Sequence, residues 1–301
     1  MLSGDVSIQY QVQRYLYNNI DLSLRDRIAN EGWGKAYLEK RESNGHWGLS
    51  FYQPKWTSTH YTLLDLKNLE ISPSNELITI SLQMILSNEK GSDGGINPSG
   101  SIAESDLCIN GMALNYASYF LADEEDLKSI IDLIIDLQMA DGGFNCCINR
   151  SGATHSSLHT TISVLEGILE YKISGYKYRI AELEKIEKEA VEFILEHKLF
   201  KSDKTGEIIS RKMLMLSYPC RWYYDILRAL EYLNKASFPY DKRMDDAIEV
   251  LLSKRRKDGT WPVQSKHPGA THIEMEKTGS PSRWNTLRAI KVLRYFNRFD
   301  T

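Results

Sequence analysis

Apolar residues recur at three- and four-residue steps in two sets of segments that alternate along the chain. One set covers Leu22 to Lys40 and then 76–90, 125–139, 183–198 and 241–256, and it carries most of the Lys and Glu. The other set covers 58–70, 106–121, 158–172, 220–235 and 282–297 and is richer in Leu, Ala, Tyr and Trp. A three-to-four-residue period predicts amphipathic helices, and the two-residue alternation of half-buried strands is almost absent. Each charged segment is followed by a turn, a polar loop and an apolar segment, which predicts five helix-turn-helix units.

The turns are themselves repeated. Asp93-Gly94-Gly95 and Asp141-Gly142-Gly143 are matched by Asp258-Gly259-Thr260-Trp261 and, more loosely, by Asn44-Gly45-His46-Trp47 and Asp203-Lys204-Thr205-Gly206, at spacings of 49, 48, 62 and 55 residues. A period in this range marks a repeat architecture in which each unit buries its face against its neighbours. Glycine at a helix end supplies the positive φ that a chain reversal needs. The expectation is one all-α domain over residues 1–301, with turns near 44–48, 93–97, 141–146, 203–207 and 258–262. Its apolar helices form an inner ring and its charged helices an outer ring, an α/α toroid. The mouth of such a ring gathers helix N-termini, which favour anions.

Composition narrows the function. A formal charge of −3 and a pI near 6.2 give no basic field of the kind that binds nucleic acid. No apolar run approaches the roughly 18 residues of a membrane span, and the N-terminus lacks a signal-peptide pattern, so a cytoplasmic protein is expected. Four cysteines, at 108, 146, 147 and 220, are too few for a disulfide framework.

The candidate chemistry clusters at the starts of the inner segments. Aligning the repeats puts His60, His159 and Arg221 at equivalent positions, with Arg283 two residues beyond the equivalent point, and a closed ring would aim all four into one mouth. Trp222, Tyr224 and Trp284 stand beside the arginines as aromatic walls, so the set suits a phosphate or carboxylate on an apolar tail. Glu274-Met275-Glu276 precedes the last inner segment and, with Asp106, supplies carboxylates for acid/base work. Asp245-Asp246-Ala-Ile-Glu249 has one-turn carboxylate spacing but lies on an expected outer helix among Lys242 and Arg243, where a solvated face is the plain reading.

Turn and helix together resemble the repeat of the terpenoid cyclase and protein prenyltransferase superfamily. Gln138-x-x-x-Gly142-x-Phe144 follows its Gln-x-x-x-Gly-x-Trp pattern, while Arg41, Lys90 and Arg255 stand at the glutamine position elsewhere. KWTSTHYTLLDL, DGGFNC, HTTISVLEG and EMEKTGSPSRWNTLRA are similar to segments of bacterial squalene-cyclase-like proteins. The resemblance implies a toroid with a central apolar cavity, an isoprenoid-like or other amphiphilic anionic ligand, and possible transferase or cyclase activity. The Asp-x-Asp-Asp acid motif of squalene-type cyclases is missing. In prenyltransferases an Asp-x-Cys pair and a histidine hold zinc, and a helical partner subunit assists; Asp106, Cys108 and His159 match that set here. Cys146 or Cys147 with His155 and His159 is a second arrangement with metal-ligand residue types. Two other classes remain open: a non-catalytic scaffold binding a peptide or protein on its concave face, and a sugar-active α/α barrel.

Overall fold

The computed structural model describes residues 2–98, 104–146 and 152–299. Its helices are α1 (Val6–Leu16), α2 (Leu22–Asp26), α3 (Gly32–Leu38), α4 (Thr59–Asn68), α5 (Glu76–Asn88), α6 (Leu107–Tyr119), α7 (Glu124–Asp136), α8 (Leu158–Ile173), α9 (Ile180–Glu196), α10 (Ile226–Lys235), α11 (Asp245–Ser253) and α12 (Arg283–Tyr295). Two short strands, β1 (Trp261–Pro262) and β2 (Pro281–Ser282), pair antiparallel across the last long connection.

The inner ring runs α4, α6, α8, α10, α12 in contact order. It closes through α1, a helix outside the expected pairs. α1 packs on α12, and its Gln11 side chain donates to the Asn68 carbonyl at 2.8 Å. Arg14 and Tyr15 of α1 both reach Glu70, just past α4, at 2.8 and 2.6 Å. Thr59 to Leu66 of α4 and Ile109 to Ser118 of α6 are buried without interruption. Helices buried all round leave no wet channel beside them, so the ring is packed through its middle at α4 and α6. Gly111 of α6 lies where a Cβ would come within 2.6 Å of the Ser163 backbone on α8, and a Cβ on Gly167 would meet the Gly111 carbonyl at 2.5 Å. These two glycines let the helix backbones touch.

The repeated turn does more than reverse the chain. Gly94 and Gly142 take φ of 82° and 85°, where a side chain would be strained. Asp93 accepts from the amide of Ser105 at 2.6 Å and from its hydroxyl at 2.8 Å, and Asp141 accepts from Ser156 in the same way. Each aspartate thus ties its turn to the residue before the cap of the next inner helix. One turn into those helices, Asn110, Thr161 and Thr286 accept from the amides of Ile96, Phe144 and Trp261. Gln138 donates to the Gly142 carbonyl at 2.9 Å, while Arg41 and Arg255 at the matching positions lie over Trp47 and Trp261.

Two expected helices differ. The 22–40 segment breaks into α2, a 3-10 turn at Arg27–Ala29, and α3, with Gly32 at φ 58° at the break. The 220–235 segment becomes helical only at Ile226, because Asp225 is its cap and accepts from the Arg228 amide at 2.8 Å. Counted from the caps Ser157 and Asp225, the position equivalent to His159 is Leu227, so Arg221 lies six residues before it, in the connection ahead of the helix. Asp245 and Asp246 pair with Arg298 and Lys201, and Glu249 is exposed.

Candidate functional site

The long connections ahead of α10 and α12 face each other and form a cleft. Its lining includes Tyr218, Arg221, Lys266, His267, Glu274 and Glu276. It holds about 30 Å³ of interior space, room for a water or two, and about 400 Å³ when the open mouth is counted.

Arg221 is the unusual member. It is only 4 % exposed, its backbone sits at φ 56°, and its Nη1 is buried without a hydrogen-bond partner. Among the described residues no carboxylate lies within ion-pair distance of it. Its guanidinium rests 4.5 Å from the centre of the Trp56 ring, which is fixed by an indole N–H donated to the Pro268 carbonyl. Taking an unpaired charge out of water costs several kcal/mol, and a left-handed backbone adds roughly 1–3 kcal/mol of strain. Such a cost persists where a function needs the group.

The two glutamates of the cleft differ in environment. Burial raises the Glu276 carboxyl above its ordinary value, although amides at the start of α12, including that of Trp284, donate to it. Glu274 is solvated, and its bond to Lys266 at 2.8 Å lowers it. His267 is held neutral by burial and by the nearby Arg221 charge, which push it down to about 4. Its ring stacks on Tyr223 at 3.9 Å, Tyr223 stacks on Trp222 at 3.9 Å, and its Nε2 is buried without a partner. The cleft therefore offers two carboxyls shifted in opposite directions, Glu276 upward and Glu274 downward, beside a guanidinium with no ion-pair partner among the described residues.

The other expected site residues do not line it. His60 is fully buried, 3.3 Å from the Tyr116 hydroxyl, and burial drives it down to about 3. Tyr224 is buried and donates to the Leu199 carbonyl at 2.5 Å. Arg283 is exposed at the start of α12 and lies across Gly4. Trp284 stacks on Tyr218 at 4.8 Å, behind the cleft wall. His159 accepts from the Tyr224 amide at 2.8 Å and meets Trp222 edge-on, on the far side of the aromatic stack from His267. Of the expected mouth set of His60, His159, Arg221 and Arg283, only Arg221 lines the cleft: His60 is enclosed, His159 is taken up by the Tyr224 amide, and Arg283 turns outward over Gly4. Asp106, Cys108 and His159 are not gathered either: among the described residues no three His, Cys, Asp or Glu side chains converge as a metal site. Cys108 instead faces Cys146, whose sulfur accepts from the Cys108 amide at 2.9 Å. Cys147, of the second metal-type set, lies outside the described residues.

Lys266, His267 and Tyr218 were missed in the sequence reading. A signal existed: the stretch from Val263 to Ser280 is longer than the roughly 12–15 residues beyond which an irregular connection is usually functional.

Solved structures share this arrangement of helices. One is glycosyl hydrolase family 88 from Bacteroides vulgatus, at 10% identity and a TM-score of 0.55, covering 98% of this chain and 90% of that one. Another is the polysaccharide lyase BACCELL_00875, at 11% identity and 0.52, covering 98% and 89%. The chain is an α/α toroid. The type II terpene cyclase MstE from Scytonema overlaps the toroid less well, at 14% identity and a TM-score of 0.39 over 90% of this chain and 96% of that one. No family model and no curated protein matches the sequence. No helix among the described residues is long and apolar enough to cross a membrane.

Proposed function

We propose that the toroid is an enzyme whose cleft binds an acidic saccharide and cleaves it by acid/base chemistry. The observation that carries the proposal is the joint placement of Arg221, buried and unpaired, with two glutamates whose environments push their protonation apart. Carboxyls separated in this way take the acid and base roles in glycoside cleavage. Arg221 binds the substrate carboxylate, and Glu276 gives its proton to the departing glycosidic oxygen. Glu274 takes a proton from water, whose oxygen bonds to the anomeric carbon, so a hydroxyl appears on each product. The two neighbours with TM-scores above 0.5 are named as a glycosyl hydrolase and a polysaccharide lyase, which supports this reading.

The isoprenoid reading keeps its anionic head at Arg221 but lacks a matching tail pocket among the described residues, where the ring is packed. The test is reducing-end release from uronate-containing disaccharides. Glu276→Gln is expected to lower kcat by about 10²–10⁴, and Arg221→Ala to weaken binding of the acidic sugar about tenfold or more. Binding of geranylgeranyl diphosphate that is lost in Arg221→Ala, with no sugar bound or cleaved, would reject the saccharide and restore the amphiphile. Metal analysis of protein purified without chelator tests Asp106, Cys108 and His159 separately; zinc near one equivalent that is lost in Cys108→Ser is the result that would establish it.

A further inference from the structure

We propose that Cys146 and Cys108 form a peroxide-reactive dithiol that closes to a disulfide between the third-unit turn and the start of α6. Three donors converge on the Cys146 sulfur. They are the Cys108 amide at 2.9 Å, the Thr160 hydroxyl at 3.4 Å and the Cys108 thiol. Hydrogen bonds donated to a sulfur at the beginning of a helix stabilise negative charge on it and favour it as the attacking sulfur. Its neighbour Cys108 lies within hydrogen-bond reach, so a second thiol stands next to the first product of oxidation. Both side chains are half-buried. Cys220 differs in its partners: it donates to the Ser217 carbonyl, and burial pushes it up to about 12.

The step balances. The Cys146 sulfur attacks one oxygen of hydrogen peroxide, the O–O bond breaks, and the leaving hydroxide takes a proton to become water. The sulfenic acid formed is attacked by the Cys108 sulfur. An S–S bond forms, the S–O bond breaks, and hydroxide leaves with the Cys108 proton as a second water. The disulfide would join residues 38 apart in sequence, pinning the Phe144–Cys146 loop to α6.

The test uses the full chain carrying Cys147→Ser, so that the adjacent cysteine cannot compete. With stoichiometric hydrogen peroxide, intact mass should fall by two hydrogens and a peptide map should join Cys108 to Cys146. Iodoacetamide should label Cys146 at least about tenfold faster than Cys220. Cys108→Ser on the same background should stop at a sulfenic acid that dimedone traps. Equal labelling of Cys146 and Cys220, or oxidation to sulfinic acid with no disulfide while Cys108 is present, would overturn the proposal. Circular dichroism of each variant separates unfolding from loss of reaction.

Discussion

The seam between α6 and α8 and the sector between α10 and α12 are built on opposite principles. At the seam, Gly111 and Gly167 bring backbones into contact, the connecting turn is held by Asp141 on Ser156, and nearly every inward residue is apolar or small. In the α10–α12 sector the repeat turn is loosened and the connections are long. Arg228 pairs with Glu166 and Arg288 with Glu231, while Arg221 stays unpaired beside the cleft. Short turns hold a ring together and leave nothing free to act. Where the repeat departs from its own pattern, side chains are released from packing and held by a few polar contacts. The candidate cleft lies in the units that break the repeat.

The contrast is most easily broken at the seam. Gly111→Val would drive carbons into the Ser163 and Val164 backbone, which cannot move without parting two helices, and should cost about 4 kcal/mol in chemical denaturation. Gly206→Ala, in the fourth-unit turn with open space around it, should cost only about 1 kcal/mol from its left-handed φ of 72°. Equal losses would mean that the seam is not the tight region.

Two arginines of the loose sector should behave differently. Arg228→Ala removes the partner of Glu166 and a donor to the Tyr223 carbonyl, and should cost about 3 kcal/mol. Arg221→Met deletes a charge that makes no ion pair among the described residues, although it favours the ionised form of buried Asp65, and should leave stability within about 1 kcal/mol while removing anion binding. A loss for Arg221→Met as large as that for Arg228→Ala would make Arg221 a structural residue.

The ion pairs where the inner helices end give a smaller effect that depends on pH. Burial works against ionised Glu170, but Lys67 and Lys235 overcome it and hold the carboxyl down to about 2; Arg288 and Lys291 do the same for Glu231. Both folded values lie below the ordinary 4.5, so this stability is present above that pH and is lost as pH falls toward 2. About 2 kcal/mol per group should disappear across that window, and Glu170→Gln or Glu231→Gln should flatten it. The smallest change is expected at the cleft rim. Lys266→Ala removes the contact that lowers Glu274, so the acidic limb of the pH–rate profile should move upward while the alkaline limb, set by Glu276, stays in place.

Much of the ring was legible because its signals are local. The period of apolar residues located the inner helices from α4 to α8 and α12 to within a few residues, and the Asp-Gly-Gly turns announced themselves as reversals. Of the residues that line the cleft, Arg221 was named from the repeat alignment, and Glu274 and Glu276 from their alternation ahead of the last inner helix. His267 was not, because a histidine in an irregular loop has no periodic context, and its partners Tyr223 and Trp222 come from another connection. His60 and His159 were overread for the reverse reason: a position at the start of an inner helix says which ring a residue joins, not whether neighbours cover it.

The sequence by itself determined the helices, the turns and their order, since a 3.6-residue apolar period, a capping residue and a glycine at positive φ act over a few residues. It also determined that a ring would form, because each unit exposes an apolar face that only its neighbours can cover. Tertiary structure decided how the ring closes, through α1 lying between α12 and α4. It decided the site as well. The burial of an unpaired Arg221, the opposite shifts of Glu274 and Glu276, and the meeting of two thiols 38 residues apart depend on which surfaces exclude water, and residues distant in the chain settle that together.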